Sequence, residues 1–383
     1  MTEPAVRRNL ADISRQTWDA VIVGAGPAGS VSAALLAAQG WQVLLVEKSH
    51  WPRDKACGGC VNAAATAMLL SMGLGEVLDG GIVLTRMALH VGKCGTTIAL
   101  PQGIAIERRQ LDELLVRLAT SRGCVFVDAV AAQLVPATSG ELRTVRLKSG
   151  GTSVEVQARV VLACDGLGGT SLANESWARF EQDQPIRLGF AATVEHAGTL
   201  PAGTIGMYVG TNGYVGLVRL SDGHFHVGAS LDPAACHARH GCPAAVVREI
   251  LAECGLNEWQ SLEKAKFIGT GPLTRRRRAV GGHRVLAVGD ACGYVEPFTG
   301  EGISWAIRSA REVVKLLPNQ AETWPGDLAD RWGAIHSLEI VRRQRWCRGL
   351  RGILHRPALA AACVRVTRHV PWASEIMARQ ISA

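Results

Sequence analysis

Apolar residues dominate residues 20–23 and 43–46, and between them an Ala- and Leu-rich stretch follows a glycine-rich turn. Two runs of strand length around one of helix length predict a βαβ unit over residues 20–47. The pattern recurs downstream. Leu111, Leu114, Leu115 and Leu118 share one helical face, and a short apolar strand follows near residues 124–127. Residues 284–288 predict a strand that turns into a helix with a buried face of Ile303, Ala306, Ile307, Ala310, Val314 and Leu317, closed by Pro318.

Two stretches keep a different rhythm. Residues 82–100 and 186–231 carry short alternating runs, such as Phe225, Val227 and Ala229, separated by Gly, Asn and Asp. Such period-two patterning predicts antiparallel strands of a separate sheet. Beyond Thr323 the chain reads as helical and basic. The expected architecture is α/β, with a discontinuous cofactor domain over 19–80, 101–185 and 270–322. A β-rich substrate domain is inserted at 81–100 and 186–269, and 323–383 form a helical C-terminal region.

The 383 residues are 48% hydrophobic and 19% charged, which suits two intertwined domains with a real core and excludes wholesale disorder. Eleven irregularly spaced cysteines, and first residues without the apolar core of a signal peptide, imply reduced thiols and a cytoplasmic location. No uncharged apolar run approaches the roughly 18 residues that span a bilayer. A net charge of +8 suits anionic cofactors, anionic lipid head groups or nucleic acid. Zinc-finger spacing, aromatic-and-basic RNA-binding patterns and a basic helix-turn-helix are all missing, so no nucleic-acid partner is expected.

The candidate chemistry begins at Asp19-Ala-Val-Ile-Val-Gly24-Ala-Gly26-Pro27-Ala28-Gly29, a strand running into G-x-G-x-x-G and then a helix. Gly24 permits the tight turn, Gly26 lets backbone N–H groups approach a pyrophosphate, and Gly29 lets the helix pack closely on the strand. Pro27 suits the first helical turn. Glu47, followed by Lys48, ends the next strand, where an acid accepts hydrogen bonds from an adenosine ribose and disfavours a 2′-phosphate. These features together predict a Rossmann-type dinucleotide site.

Far downstream stands Gly289-Asp290-Ala-Cys-Gly-Tyr-Val-Glu-Pro297-Phe-Thr299-Gly300-Glu-Gly302-Ile303. It resembles the Gly-Asp segment of the aromatic-hydroxylase-type (p-hydroxybenzoate hydroxylase-like) FAD superfamily, and its tail is most similar to the geranylgeranyl reductase family. The resemblance implies a glutathione-reductase-like FAD domain in which Asp290 binds the ribityl chain. Free N–H groups at a helix start over Thr299, Gly300, Gly302 and Ile303 would face the flavin and stabilise its reduced, anionic form. Asp165-Gly166 resembles the superfamily's motif near the pyrophosphate, and Arg108-x-x-Leu111-Asp112 its Arg-x-x-Leu-Asp helix start.

Lys55-Ala-Cys57-Gly58-Gly59-Cys60 resembles the Cys-Gly-Gly-Gly loop of geranylgeranyl reductases, with Cys60 replacing the last glycine. The resemblance implies Cys57 as a group that positions or protonates substrate, with Lys55 and Pro297 beside it and Gly58 and Gly59 against the substrate. C-x-x-C spacing also permits a redox bridge between Cys57 and Cys60. Tyr214 and Gly216 occupy the family's Gly-Tyr region, but its Trp and Phe-Pro-Lys are missing.

Cys236, His237, His240 and Cys242 lack the second half of a zinc site, so no metal is expected. Arg275 to Arg278 form either a solvated face or a seat for NAD(P)H phosphates, and without a second G-x-G-x-x-G the NAD(P)H, or another electron donor, would visit transiently. Arg342, Arg343, Arg345, Arg348 and Arg351, with Trp346, Leu350, Ile353 and Leu354, suit either an anionic membrane surface or packing on the cofactor domain.

The expected activity is FAD-dependent reduction of carbon–carbon double bonds in an apolar isoprenoid-like or polyketide-like molecule. The alternative is a monooxygenase of a small apolar or aromatic substrate. A flavin-dependent halogenase ranks third, lacking W-x-W-x-I-P, and a non-catalytic lipid carrier is opposed by the retained Gly289-Asp290. Oligomeric state is not legible in the residues.

Overall fold

The computed structural model describes residues 9–137, 139–182, 186–195, 200–296, 298, 300–318, 324–369 and 378. The apolar runs at both ends of the chain meet in one parallel sheet. Thr17–Val23 is central, flanked by Val43–Val46 and Thr152–Ala163, with Val125–Val127 and Val285–Ala287 outside them. The Pro27–Ala38 helix packs against Arg108–Ser121 and Glu301–Leu316. An antiparallel meander, Ala131–Leu134, Arg143–Ser149 and Thr152–Ala163, adds Leu134, Val145, Leu147 and Val156 to the same core. Val21, Ile22, Leu44, Leu45, Val161 and Leu162 are therefore fully buried, and their strands read as continuous apolar runs.

The alternating stretches form a second sheet. Its order is Ile268–Pro272, Leu188–Val194, Phe225–Leu231, Gly213–Arg219, Thr204–Gly210, Ile82–Val91, Cys94–Ala105 and Cys60–Val61. Neighbours are antiparallel with one exception: Thr204–Gly210 runs parallel to Ile82–Val91. These two strands arrive from separate excursions out of the cofactor domain, so no hairpin dictates their relative direction. The sheet also reaches beyond the expected limits at 100 and 269, through Ala105 on one side and Ile268–Pro272 on the other.

A small third sheet joins Phe180–Gln182, Arg275–Arg277 and Gly293–Tyr294. It divides the arginine run: Arg276 and Arg278 are exposed, as a solvated face requires, whereas Arg275 and Arg277 are half-buried. Arg275 donates to the carbonyls of Leu167 (2.8 Å) and Pro272 (3.1 Å), and Arg277 donates to Ala291 (2.6 Å) while lying 3.6 Å over the Phe180 ring. Arg276 and Arg278 pair with Glu181.

The C-terminal helices straddle both domains. Leu328 and Trp332 of Leu328–His336 join the cofactor core, where the Trp332 indole donates to the Ala287 carbonyl at 2.9 Å. After the π-helical turn Ser337–Val341 come Arg342–Leu354 and Pro357–His369. Leu354, Ala360 and Val364 are buried against Leu84, Met87 and Ile98 of the second sheet.

Candidate active site

Along the carboxyl ends of the parallel strands, two cavities share Gly26, Lys55, Ala56, Cys164 and Leu167 and so form one cleft. Its first half is lined by Gly24, Glu47, Lys48, Arg53, Ala131, Ala132 and Asp165. Gly24 has φ +102°, and a Cβ there would lie 2.6 Å from the Cys164 carbonyl oxygen, so only glycine fits the turn. Gly26 caps the Pro27–Ala38 helix, whose start is open to an anion.

Glu47 accepts from the amides of Ala25 and Ser49, both at 3.1 Å, and pairs with Arg53 Nε at 3.2 Å. Burial pushes its pKa up, but Arg53 and the two amides outweigh this and hold the carboxyl below its ordinary value. Asp112 bridges two cations, 3.1 Å from Arg53 Nη1 and 2.7 Å from Arg108 Nε. A Cβ on Gly26 would meet the outer nitrogens of both arginines, at 3.2 Å for Arg108 and 3.7 Å for Arg53. The pair therefore faces the turn where a pyrophosphate would lie.

Lys55 is half-buried at the junction of the halves. Burial lowers its pKa and Arg108 adds to this, while Asp290 works in the opposite direction. Burial likewise raises the pKa of Asp290 against the pull of Lys55 and Arg108. Such a carboxyl is well suited to ribityl hydroxyls. Asp165 accepts from Ser171 N at 2.9 Å through Oδ2, and its buried Oδ1 has no partner among the described residues. The open glycine turn, the aimed arginines, the orphaned oxygen and the half-buried Asp290 all fit FAD.

The second half of the cleft is a chamber. On one side stand Pro27, Ala28, Asp290, Gly300, Gly302 and Ile303; on the other stand Phe190, Ile205, Met207, Tyr214, Gly216, Ala229, Leu273 and Phe298. Gly300, φ +83°, packs onto Cys60, whose carbonyl oxygen would lie 2.7 Å from an added Cβ. A Cβ on Gly216 would come within 3.2 Å of Met207 Sδ, so the glycine leaves room there for the methionine. Cys57 and Gly58 line the chamber between its two sides.

Most residues expected from sequence thus gather along one cleft. Gly29 and Gly289 act behind it by close packing, since added Cβ atoms would strike Gly24 O at 1.8 Å and Ala28 Cβ at 2.8 Å. Arg108 and Gly166 line it, whereas Gly59 lies under His226. Pro297 and Thr299 fall outside the described residues. Cys57 and Cys60 are free thiols, and burial holds Cys60 well above the ordinary thiol range. Cys236 is buried in the Pro233–Ala238 helix while Cys242 is exposed, and no metal-holding group of His, Cys, Asp or Glu occurs among the described residues.

Sequence reasoning missed Arg53, His226 and Glu296. Arg53 sits two residues before Lys55 and invited attention only through its charge. Glu296 is buried, accepts from Ser230 Oγ, and lies 3.4 Å from His355 Nε2 at the end of Arg342–Leu354.

A Rossmann-type cleft closed by a β-sheet chamber, with an acid for each end of a dinucleotide, defines an FAD-dependent oxidoreductase. The chain belongs to the FAD binding domain family, whose model matches residues 17–326. It is 26% identical over 353 residues to menaquinone reductase of Mycobacterium tuberculosis, covering 85% of this chain and 82% of the relative. It is 27% identical over 305 residues to digeranylgeranylglycerophospholipid reductase 2 of Methanothermobacter thermautotrophicus, covering 77% and 76%. The structure of p-nitrophenol 4-monooxygenase from Pseudomonas putida superposes with a TM-score of 0.78 over 96% of this chain and 99% of that one; at 14% identity this likeness is one of fold.

Proposed function

We propose that this oxidoreductase adds two hydrogens across a carbon–carbon double bond of an apolar, isoprenoid-like lipid. The observation that carries the reading is the chamber: Phe190, Ile205, Met207, Leu273 and Phe298 enclose space that meets the cofactor half at the Cys57 loop. Both relatives bear the names of reductases, one of menaquinone and one of a digeranylgeranyl lipid, which supports this substrate class. FAD, held by Arg53, Arg108, Lys55 and Asp290, supplies hydride when reduced. The apolar walls orient the chain and exclude water, and the Cys57 thiol holds the proton for the second carbon. The reductant is NAD(P)H or another two-electron donor visiting the cleft.

The test is product mass spectrometry with FAD-loaded protein, dithionite and a membrane-lipid extract, with and without oxygen. A gain of two hydrogens under anaerobic conditions is expected, and Cys57→Ala should lower that rate about 100-fold, as loss of a general acid does. A gain of one oxygen atom only in air would replace this reading with monooxygenation.

We also propose that the protein meets such lipids at an anionic bilayer surface. No helix among the described residues is long and apolar enough to cross a membrane. Arg342, Arg345 and Trp346 are exposed on one helix, Arg356 in the turn after it, and Leu359, Arg365 and Val366 on the next helix, with no acid between Glu339 and Glu375. Surface arginines contribute about 1 kcal/mol each, so Arg342→Gln with Arg345→Gln should lower partitioning to phosphatidylserine vesicles roughly 30-fold. Co-sedimentation measures this, and equal binding to neutral vesicles would remove the electrostatic argument.

A further inference from the structure

The loop that carries Cys57 has no ladder of its own, since residues 53–59 form neither helix nor strand. It rests on the Phe225–Leu231 strand, whose two faces differ. Phe225, Val227 and Leu231 point into a core with Val247 and Ile250. His226, Gly228 and Ser230 take the opposite face, and Gly228 and Ser230 line the chamber. Gly228 lies beneath Gly58, whose Cα would be 3.0 Å from an added Cβ. A Cβ on Gly59 would lie 3.0 Å from His226 Cδ2.

His226 fastens this contact. Its Nε2 is 2.6 Å from the Cys57 carbonyl oxygen, and its Nδ1 is 3.1 Å from Thr193 Oγ1. A carbonyl only accepts, so Nε2 carries the hydrogen and Nδ1 accepts from the Thr193 hydroxyl. Thr193 stands directly opposite His226 on the neighbouring antiparallel strand, so strand register selects the tautomer. Burial pulls the pKa of the ring below its ordinary value, which preserves the neutral form this arrangement needs.

We propose that His226 is a positioning residue: by holding the Cys57 carbonyl it fixes the Cys57-Gly58-Gly59 turn, and with it the thiol, toward the chamber. This rests on the reading of Cys57 as the proton source in lipid reduction. The consequence for recognition is that the substrate sheet, not the cofactor domain, sets where the thiol stands.

The experiment compares His226→Ala, His226→Gln and Thr193→Val in the FAD-loaded protein. One readout is alkylation of Cys57 by iodoacetamide, followed by peptide mass spectrometry with exposed Cys242 as internal reference; the other is the split between kcat and KM for lipid reduction. Loss of one hydrogen bond should speed Cys57 alkylation about tenfold in His226→Ala, with kcat falling and KM nearly constant. His226→Gln, which can still donate to the carbonyl, should restore slow alkylation and most of kcat. Thr193→Val should shift both in the same direction by less, and it tests the proposal even if His226→Ala does not fold. Unchanged Cys57 alkylation in His226→Ala, or in Thr193→Val where only that variant folds, overturns the proposal, as does failure of His226→Gln to restore it. If alkylation responds as expected while Cys57→Ala reduces lipid at the normal rate, the positioning stands and the proton-donor reading fails.

Discussion

Gly29→Ala is expected to yield protein that purifies without FAD. The added methyl would lie 1.8 Å from the Gly24 carbonyl oxygen and 3.1 Å from its carbon, both backbone atoms of the turn that faces the phosphates. No rotamer relieves a contact between a Cβ and a backbone oxygen, so the Pro27–Ala38 helix must lift off its strand and carry its N–H groups away from the anion site. Overpacking with flexible neighbours costs about 1–3 kcal/mol, and here the neighbours are rigid, so the loss should reach or exceed the upper figure. Flavin absorbance per protein and the thermal midpoint measure the two effects. Gly349→Ala serves as the control: nothing lies within 4 Å of its Cβ, and relief of a helical glycine should stabilise by up to about 1 kcal/mol. A Gly29→Ala protein that retained one FAD per chain would refute the tight-packing account.

The second large effect concerns acid stability. His336 is 6% exposed beside Trp332, and burial alone pulls its pKa down to about 4 from an ordinary 6.5. In the unfolded chain it titrates near 6.5, so as pH falls the unfolded state takes up the proton first and gains free energy relative to the folded one. Stability present above pH 6.5 is therefore lost between about 6.5 and 4, to a total of about 3 kcal/mol. His336→Phe keeps a ring against Trp332 and removes the titration. Urea unfolding of both proteins at pH 7 and pH 4.5 should show the variant gaining on the parent toward acid. His226, also buried and neutral, remains in both proteins and cancels in the difference. A gap independent of pH would rule out burial as the cause.

Legibility tracked sequence separation. The glycine turn, Glu47 and the strand leading to Asp290 were readable because each job is local: a positive φ, a strand end, a helix start. The Glu301–Leu316 helix buries Ile303, Ala306, Ile307, Ala310 and Val314 as the periodicity demands. The bridge from Arg53 through Asp112 to Arg108 joins a loop to a helix that begins 55 residues later by number, and nothing in either segment announces the other. His226 is 169 residues from the carbonyl it holds, and in sequence it is simply a polar position in an alternating strand. The arginine run was legible only in half: charge suggests solvent, which describes exposed Arg276 and Arg278, whereas Arg275 and Arg277 use their donors on loop carbonyls. The parallel seam was invisible because alternation reports a half-buried strand and not the direction of its neighbour.

That seam bears on how the molecule is assembled during synthesis. The Ile82–Val91 and Cys94–Ala105 hairpin leaves the ribosome about a hundred residues ahead of Thr204–Gly210, its partner along one edge, and further still ahead of the Pro357–His369 helix that lies over it. Until those segments follow, the nascent hairpin presents an unpaired edge and an uncovered apolar face, the form of strand most prone to pairing with a neighbouring chain.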